Sequence, residues 1–255
     1  MKKTTPIHTT TLLIMFLGLS LAACQAATET KQDDVLVQYS TLGSLMAGVY
    51  DGEMTFGELK EFGDFGLGTF NALDGEMIQV DHQIYQIKAD GAAYLVDDKM
   101  KTPFSVVTYF DVDQSMQLKE KITCEAFKDY LDDQLPTQNT AYALKVVGSF
   151  EYMKTRSVPK QEKPYPLLSE VIETQPIFEF QSTDGIMLGF RLPVYMNIAN
   201  APGYHFHYLN NSKDAGGHVL DCIIHQVSIE IDQINEWYTI IPSDDEFYEV
   251  DFSQE

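Results

Sequence analysis

At 255 residues, 44% of them hydrophobic and 22% charged, the chain is long enough to bury a substantial core. Its make-up is that of a globular protein and excludes a disordered or fibrous one. With 38 acidic residues against 17 basic ones, the formal charge is −21, which excludes nucleic acid and anionic membrane surfaces as partners.

Residues 1–24, MKKTTPIHTTTLLIMFLGLSLAAC, read as an export signal: Lys2 and Lys3, an apolar run from Leu12 to Ala22, then small residues. The run is shorter than the ~20 residues that cross a bilayer. Leu21-Ala22-Ala23-Cys24 has the form of a lipobox, so Cys24 is expected to carry a lipid; a plain secretory signal cut nearby is the alternative. The expected location is outside the cell or on the membrane surface, with contact to the membrane only through that lipid. His8 leaves with the signal. Residues 25–34 read as a flexible tether.

From Val35 to Tyr50, the spacing of Leu42, Leu45, Met46 and Val49, extended back to Tyr39, predicts a helix. Thr55 and Glu58 make a T-x-x-E capping box for a short helix over TFGELKEF. After the glycine-rich GDFGLGTF, a turn falls at Asn71–Gly75. EMIQV, QIYQIK and AYLV then predict a meander, and PFSVVTYF another strand. Cys124–Leu135 reads as a helix, and residues 141–156 alternate as a long strand does. The link QEKPYP, Gln161–Pro166, is the best domain boundary. A short helix is expected near 167–173, then a hairpin over IFEFQSTDGIMLGFRL turning at Thr183-Asp184-Gly185. The histidine stretch and the strand VLDCIIHQVSIEI close the reading. The fold class is α+β and strand-rich, with two sheet-based subdomains, 35–160 and 161–255, and a few short helices.

Three of the six histidines lie within GYHFHYLNNSKDAGGHVLD, residues 203–221. In a strand, His205 and His207 share a face. If the turn-rich loop Asn210–Gly217 closes a hairpin with Leu209 opposite Gly216, His207 lies opposite His218 on that face. Three imidazoles then converge, as in a zinc site with one open position, although neutral imidazole also suits copper, iron or nickel. His225 has the wrong parity against His218. Cys222 lies ~13 Å further along the strand, and both are read as structural. His82 sits in a turn and is read as solvated. Cys124 and Cys222 either pair, as export allows, or stay as separate buried thiols. KTRSVPKQEK, residues 154–163, concentrates basic residues. Within it, Arg156 can clamp a carboxylate through its planar fork or simply face solvent. Glu76, beside the LDGE turn, is one acid among many.

Taken together, GLGTFNALDGEMIQ, KTPF, RSVPKQEKPYP and PGYHFHYL…GGHVLD resemble the alpha-acetolactate decarboxylase family, from about Val35 to about Phe252. The resemblance implies a strand-rich N-terminal part and a C-terminal sheet that carries the metal. It implies loss of CO2 from a small anionic 2-hydroxy-3-oxo acid, 2-acetolactate, to give (R)-acetoin through a metal-stabilised enediolate. The implied ligands of a zinc ion are His205, His207 and His218. Glu76, Arg156 and Thr69 match further site residues, and a homodimer is implied. Family members can carry another site glutamate in a C-terminal tail. Glu255 is the candidate for that place, with no matching motif around it. Two other readings compete: a cupin-like metal dioxygenase or isomerase, and a metal- or solute-binding lipoprotein without chemistry. The first wants a glutamate shortly after the second histidine, where this chain has Leu209, Asn210, Asn211 and Ser212. The second has no need of an arginine.

Overall fold

Strand β1 (Val35–Tyr39) shows why the opening segment is not the helix its spacing predicts. Every residue of β1 is buried, and an apolar run covered on both faces carries no period that separates strand from helix. Ser40, at φ +65°, ends it. The helix that does form, α1 (Leu42–Met46), is five residues long and starts where the Thr41 side chain accepts the Ser44 N–H. β2 (Met54–Thr55) leads into α2 (Phe56–Leu59), and here Thr55 and Glu58 make the expected reciprocal cap. The computed structural model describes Met1 and residues 34–197 and 199–252. The expected signal segment with Cys24, the tether up to residue 33, and Glu255 lie outside the described residues.

Next come β3 (Phe65–Thr69), a 3₁₀ turn at Asn71–Leu73, β4 (Glu76–Val80), β5 (Gln83–Ile87), β6 (Ala93–Leu95), β7 (Lys101–Thr102) and β8 (Ser105–Thr108). The expected meander is β4–β5–β6. β9 (Gln114–Leu118) and β10 (Ile122–Thr123) precede α3 (Cys124–Gln134), which is followed by β11 (Ala141–Arg156) and α4 (Leu168–Ile172). The chain continues through β12 (Ile177–Leu192), β13 (Gly203–Asn210), β14 (Gly216–Ile234), β15 (Glu236–Ile240) and α5 (Asp245–Tyr248). No described helix is long and apolar enough to cross a membrane.

The strands form two main sheets. The first runs β15-β1-β8-β3-β4-β5-β6, antiparallel except where β15 lies parallel to β1. The second runs β10-β14-β11-β12-β13, and β13 returns to pair with the start of β14, so four strands close on themselves at one end. Gln161–Pro166 does not fall between the sheets. β11, before the link, lies inside the second sheet, while β15, far after it, forms an edge of the first. The described residues from 34 to 252 belong to one unit.

Residues 177–192 are one strand rather than the expected hairpin. β12 pairs along its length with the equally long β11, Thr183 opposite Phe150 and Gly185 opposite Gly148. The polar triplet produces an irregularity with Ser182 at φ +50°. Gly185 is there because a Cβ would run into the Leu209 carbonyl and the Tyr208 ring, not because it turns the chain.

The first sheet packs on the second through a core that includes Leu36, Leu67 and Ile78 on one side and Ala143, Leu188 and Phe190 on the other. Phe127 and Leu131 of α3 cover the second sheet against Leu144, Val146 and Met187. Phe56 and Leu59 of α2 cover the outer face of the first, against Met77 and Val107. Cys124, at the start of α3, is joined to Cys222 on β14 by a disulfide.

Candidate metal centre

The loop after Leu209 does close a hairpin. The Asn210 side-chain oxygen accepts the backbone N–H groups of Asp214 and Ala215, an Asx-type turn that its sequence favours. Leu209 then faces Gly216, and His207 faces His218. On the other side of β14, Arg156 of β11 pairs with the same His218. Three strands therefore put Arg156, His218 and His207 in one row, with His205 two residues along. The row closes only because Gly217, at φ +138°, has no side chain; a Cβ would strike the Arg156 carbonyl.

The rings meet as the strand parity requires. His205 Nε2 lies 3.0 Å from His218 Nδ1, which lies 3.3 Å from His207 Nε2. One ligand atom from each histidine falls within 4.8 Å of the others, and among the described residues no further cluster of this kind occurs. His207 Nδ1 lies 2.8 Å from the Met77 carbonyl. A carbonyl only accepts, so Nδ1 carries the proton and Nε2 keeps its lone pair, the usual arrangement of a ligating histidine. Burial, then the Arg156 charge, holds His205 down at about 4. Burial likewise holds His207 and His218 well below the ordinary histidine range. All three rings are neutral near pH 7 and can donate lone pairs. The donor set fits a divalent metal ion.

The first sheet supplies the facing groups. Thr69 and Glu76 are paired across β3 and β4, joined by a turn that uses positive φ at Ala72, Leu73 and Gly75. The Thr69 hydroxyl donates to the Gly75 carbonyl at 2.7 Å. Arg156 Nη1 donates to Glu76 Oε1 at 2.7 Å, and Glu76 Oε2 lies 3.5 Å from His207 Nε2. Burial raises the Glu76 carboxyl above its ordinary range, against the downward pull of Arg156. All six side chains line one pocket, whose remaining wall is aliphatic: Leu42, Leu45, Leu73, Val158 and Leu168, with Phe104.

His225 is exposed on β14, at an irregularity in its pairing with β11. His82 is exposed, with Nε2 3.8 Å from Asp64, and Cys222 is held in the disulfide. Sequence reasoning missed two parts of the site. The Met77 carbonyl carries no side-chain signal at all. Leu42 and Leu45 are visible as a helical pair, but that spacing speaks for packing as readily as for a pocket wall.

The alpha-acetolactate decarboxylase profile matches residues 36–254. The chain belongs to the alpha-acetolactate decarboxylase family. It is 43% identical over 221 residues to the alpha-acetolactate decarboxylase of Methanosarcina mazei, covering 87% of this chain and 77% of that protein. It is 43% identical over 223 residues to that of Methylococcus capsulatus, covering 88% and 86%. The crystal structure of alpha-acetolactate decarboxylase from Bacillus subtilis superposes with a TM-score of 0.85 at 36% identity, covering 86% of this chain and 94% of that one. With the family established, the cupin-like and non-catalytic readings are set aside.

Proposed function

We propose that the chain is a carboxy-lyase that converts 2-acetolactate to (R)-acetoin and CO2 with zinc at the three histidines. The observation that carries this reading is the buried cluster of neutral imidazoles faced by the Arg156–Glu76 pair, within a family whose members carry this activity in their name. When CO2 leaves, the electron pair of the broken bond passes into the C2–C3 bond. Negative charge gathers on the former ketone oxygen, and the enediolate then takes a proton at C2. Zinc held by His205, His207 and His218 would supply Lewis-acid stabilisation of that charge.

The side chains account for the other steps. Arg156 keeps donors beyond the one given to Glu76 and holds the departing carboxylate. Thr69 donates its proton to Gly75, which leaves its lone pairs to accept from the substrate hydroxyl. Glu76, buried beside the imidazoles with its carboxyl held above the ordinary range, is the group placed to deliver a proton to one face of C2, and the face sets product chirality. The test is incubation of purified protein with racemic acetolactate, with and without a chelator, assaying acetoin, its chirality and bound metal. Metal-dependent (R)-acetoin is expected, and its absence sinks the reading.

Export with a lipid on Cys24 is part of the proposal. The Cys124–Cys222 disulfide supports an oxidising compartment, and mass spectrometry of the mature N-terminus tests it. The homodimer implied by the family resemblance finds support in the edge strand β15, where Trp237 and Tyr238 are exposed. Sedimentation tests that.

A further inference from the structure

The pocket has two chemically different walls, and the substrate class has a shape that sorts between them. In a 2-hydroxy-3-oxo acid the hydroxyl-bearing carbon is tetrahedral. Three of its substituents carry every oxygen: the carboxylate, the hydroxyl and the acyl group. These belong against Arg156, Thr69, Glu76 and the imidazoles. The fourth substituent is alkyl and must point away from the other three, towards the aliphatic wall.

That wall has a fixed part and an adjustable part. Leu45, Leu73, Val158 and Phe104 are buried members of the core between the sheets. Leu42 and Leu168 are only partly buried and complete the wall from the two short helices. α1 is anchored: Thr41 caps it, and the Leu42 N–H donates to the Ala199 carbonyl at 2.8 Å. α4 follows the proline-rich link and begins at Leu167 with no side-chain cap.

We propose that Leu42 and Leu168 set the size of the alkyl group accepted on the hydroxyl-bearing carbon and so restrict the enzyme to small 2-alkyl-2-hydroxy-3-oxo acids. This rests on the decarboxylase reading above. Leu42 is the rigid stop, and Leu168 is the one whose replacement widens or narrows the site most directly. Neither is core-buried, so truncation opens space without emptying the core, unlike Leu45 or Phe104.

The experiment measures kcat/KM of the metal-loaded full chain for 2-acetolactate and for its 2-ethyl and 2-propyl homologues. One methylene in an apolar pocket changes specificity roughly 10- to 200-fold. Leu168→Ala and Leu42→Ala should therefore raise the propyl-to-methyl ratio by about tenfold or more. Leu168→Phe should lower the ethyl-to-methyl ratio. Ile172→Ala, on the same helix but outside the pocket, should leave both ratios where they are. Ratios within about twofold of the wild type in both alanine variants, or an equal shift in Ile172→Ala, overturn the inference. A wild-type protein that makes no acetoin overturns the decarboxylase reading and this inference with it; an active wild type with unmoved ratios overturns this inference alone.

Discussion

His207 ties the two sheets together at the site. Nδ1 donates to Met77 in the first sheet, while Nε2 faces His218 in the second. His207→Ala should therefore lose metal and acetoin formation together, as read by elemental analysis beside the activity assay; retained activity contradicts its place as a ligand. Arg156 acts on charge instead. Arg156→Ala should keep the metal and lower kcat by about 10²–10³-fold, the usual cost of a lost electrostatic donor. It should also move the alkaline limb of the pH–rate profile upward, because Arg156 is what holds the Glu76 carboxyl down. A metal-free Arg156→Ala protein, or an unmoved limb, counts against these roles.

At the scale of elements, the closing of β11, β13 and β14 around one row depends on Gly217. Gly217→Ala puts a Cβ against the Arg156 carbonyl at a φ of +138°, so it should destabilise by about 1–3 kcal/mol and weaken metal retention. Chemical denaturation and metal analysis check both. The same elements mark what the sequence discloses. His205, His207 and His218 were legible because side-chain parity and a turn-rich loop are local facts, and local facts fix the register of a hairpin. The TFGELKEF helix was legible through its capping box. The pairing of β11 with β12 was not: Thr183-Asp184-Gly185 has turn chemistry, and only a long partner strand overrides it. Nor was the fully buried β1, whose burial comes from neighbours distant in the chain. The approach of Glu76 and Thr69 to the histidines is likewise a product of sheet docking, reachable from the sequence only through resemblance to a family.

For the whole molecule, the disulfide spans a sequence separation of 98 residues. On a chain-entropy account a loop near that length contributes about 4–5 kcal/mol, so reduction, or Cys124→Ser, should lower Tm clearly. An unchanged Tm under reductant would set that aside. Acidity tests the site differently. Folded His205 titrates at about 4, against about 6.5 in an unfolded chain. Between those values the unfolded state binds more protons, so the metal-free protein should lose stability as pH falls from 7 to 4. Asp232, raised to about 8 by burial and neighbouring aspartates, has the opposite slope, with stability lost as pH rises towards 8. Tm against pH for chelated Asp232→Asn protein should therefore fall more steeply towards acid than that of the wild type, with the buried Glu76 carboxyl still opposing the histidines.

The Met77–His207 hydrogen bond bears on how the enzyme fails. Imidazoles come from one sheet and acid from the other, so a molecule whose halves part separates the three rings from the Glu76 carboxyl and from the carbonyl that orients His207. Damage should yield dead copies rather than sluggish ones. Turnover in a stressed sample then serves as a census of intact chains.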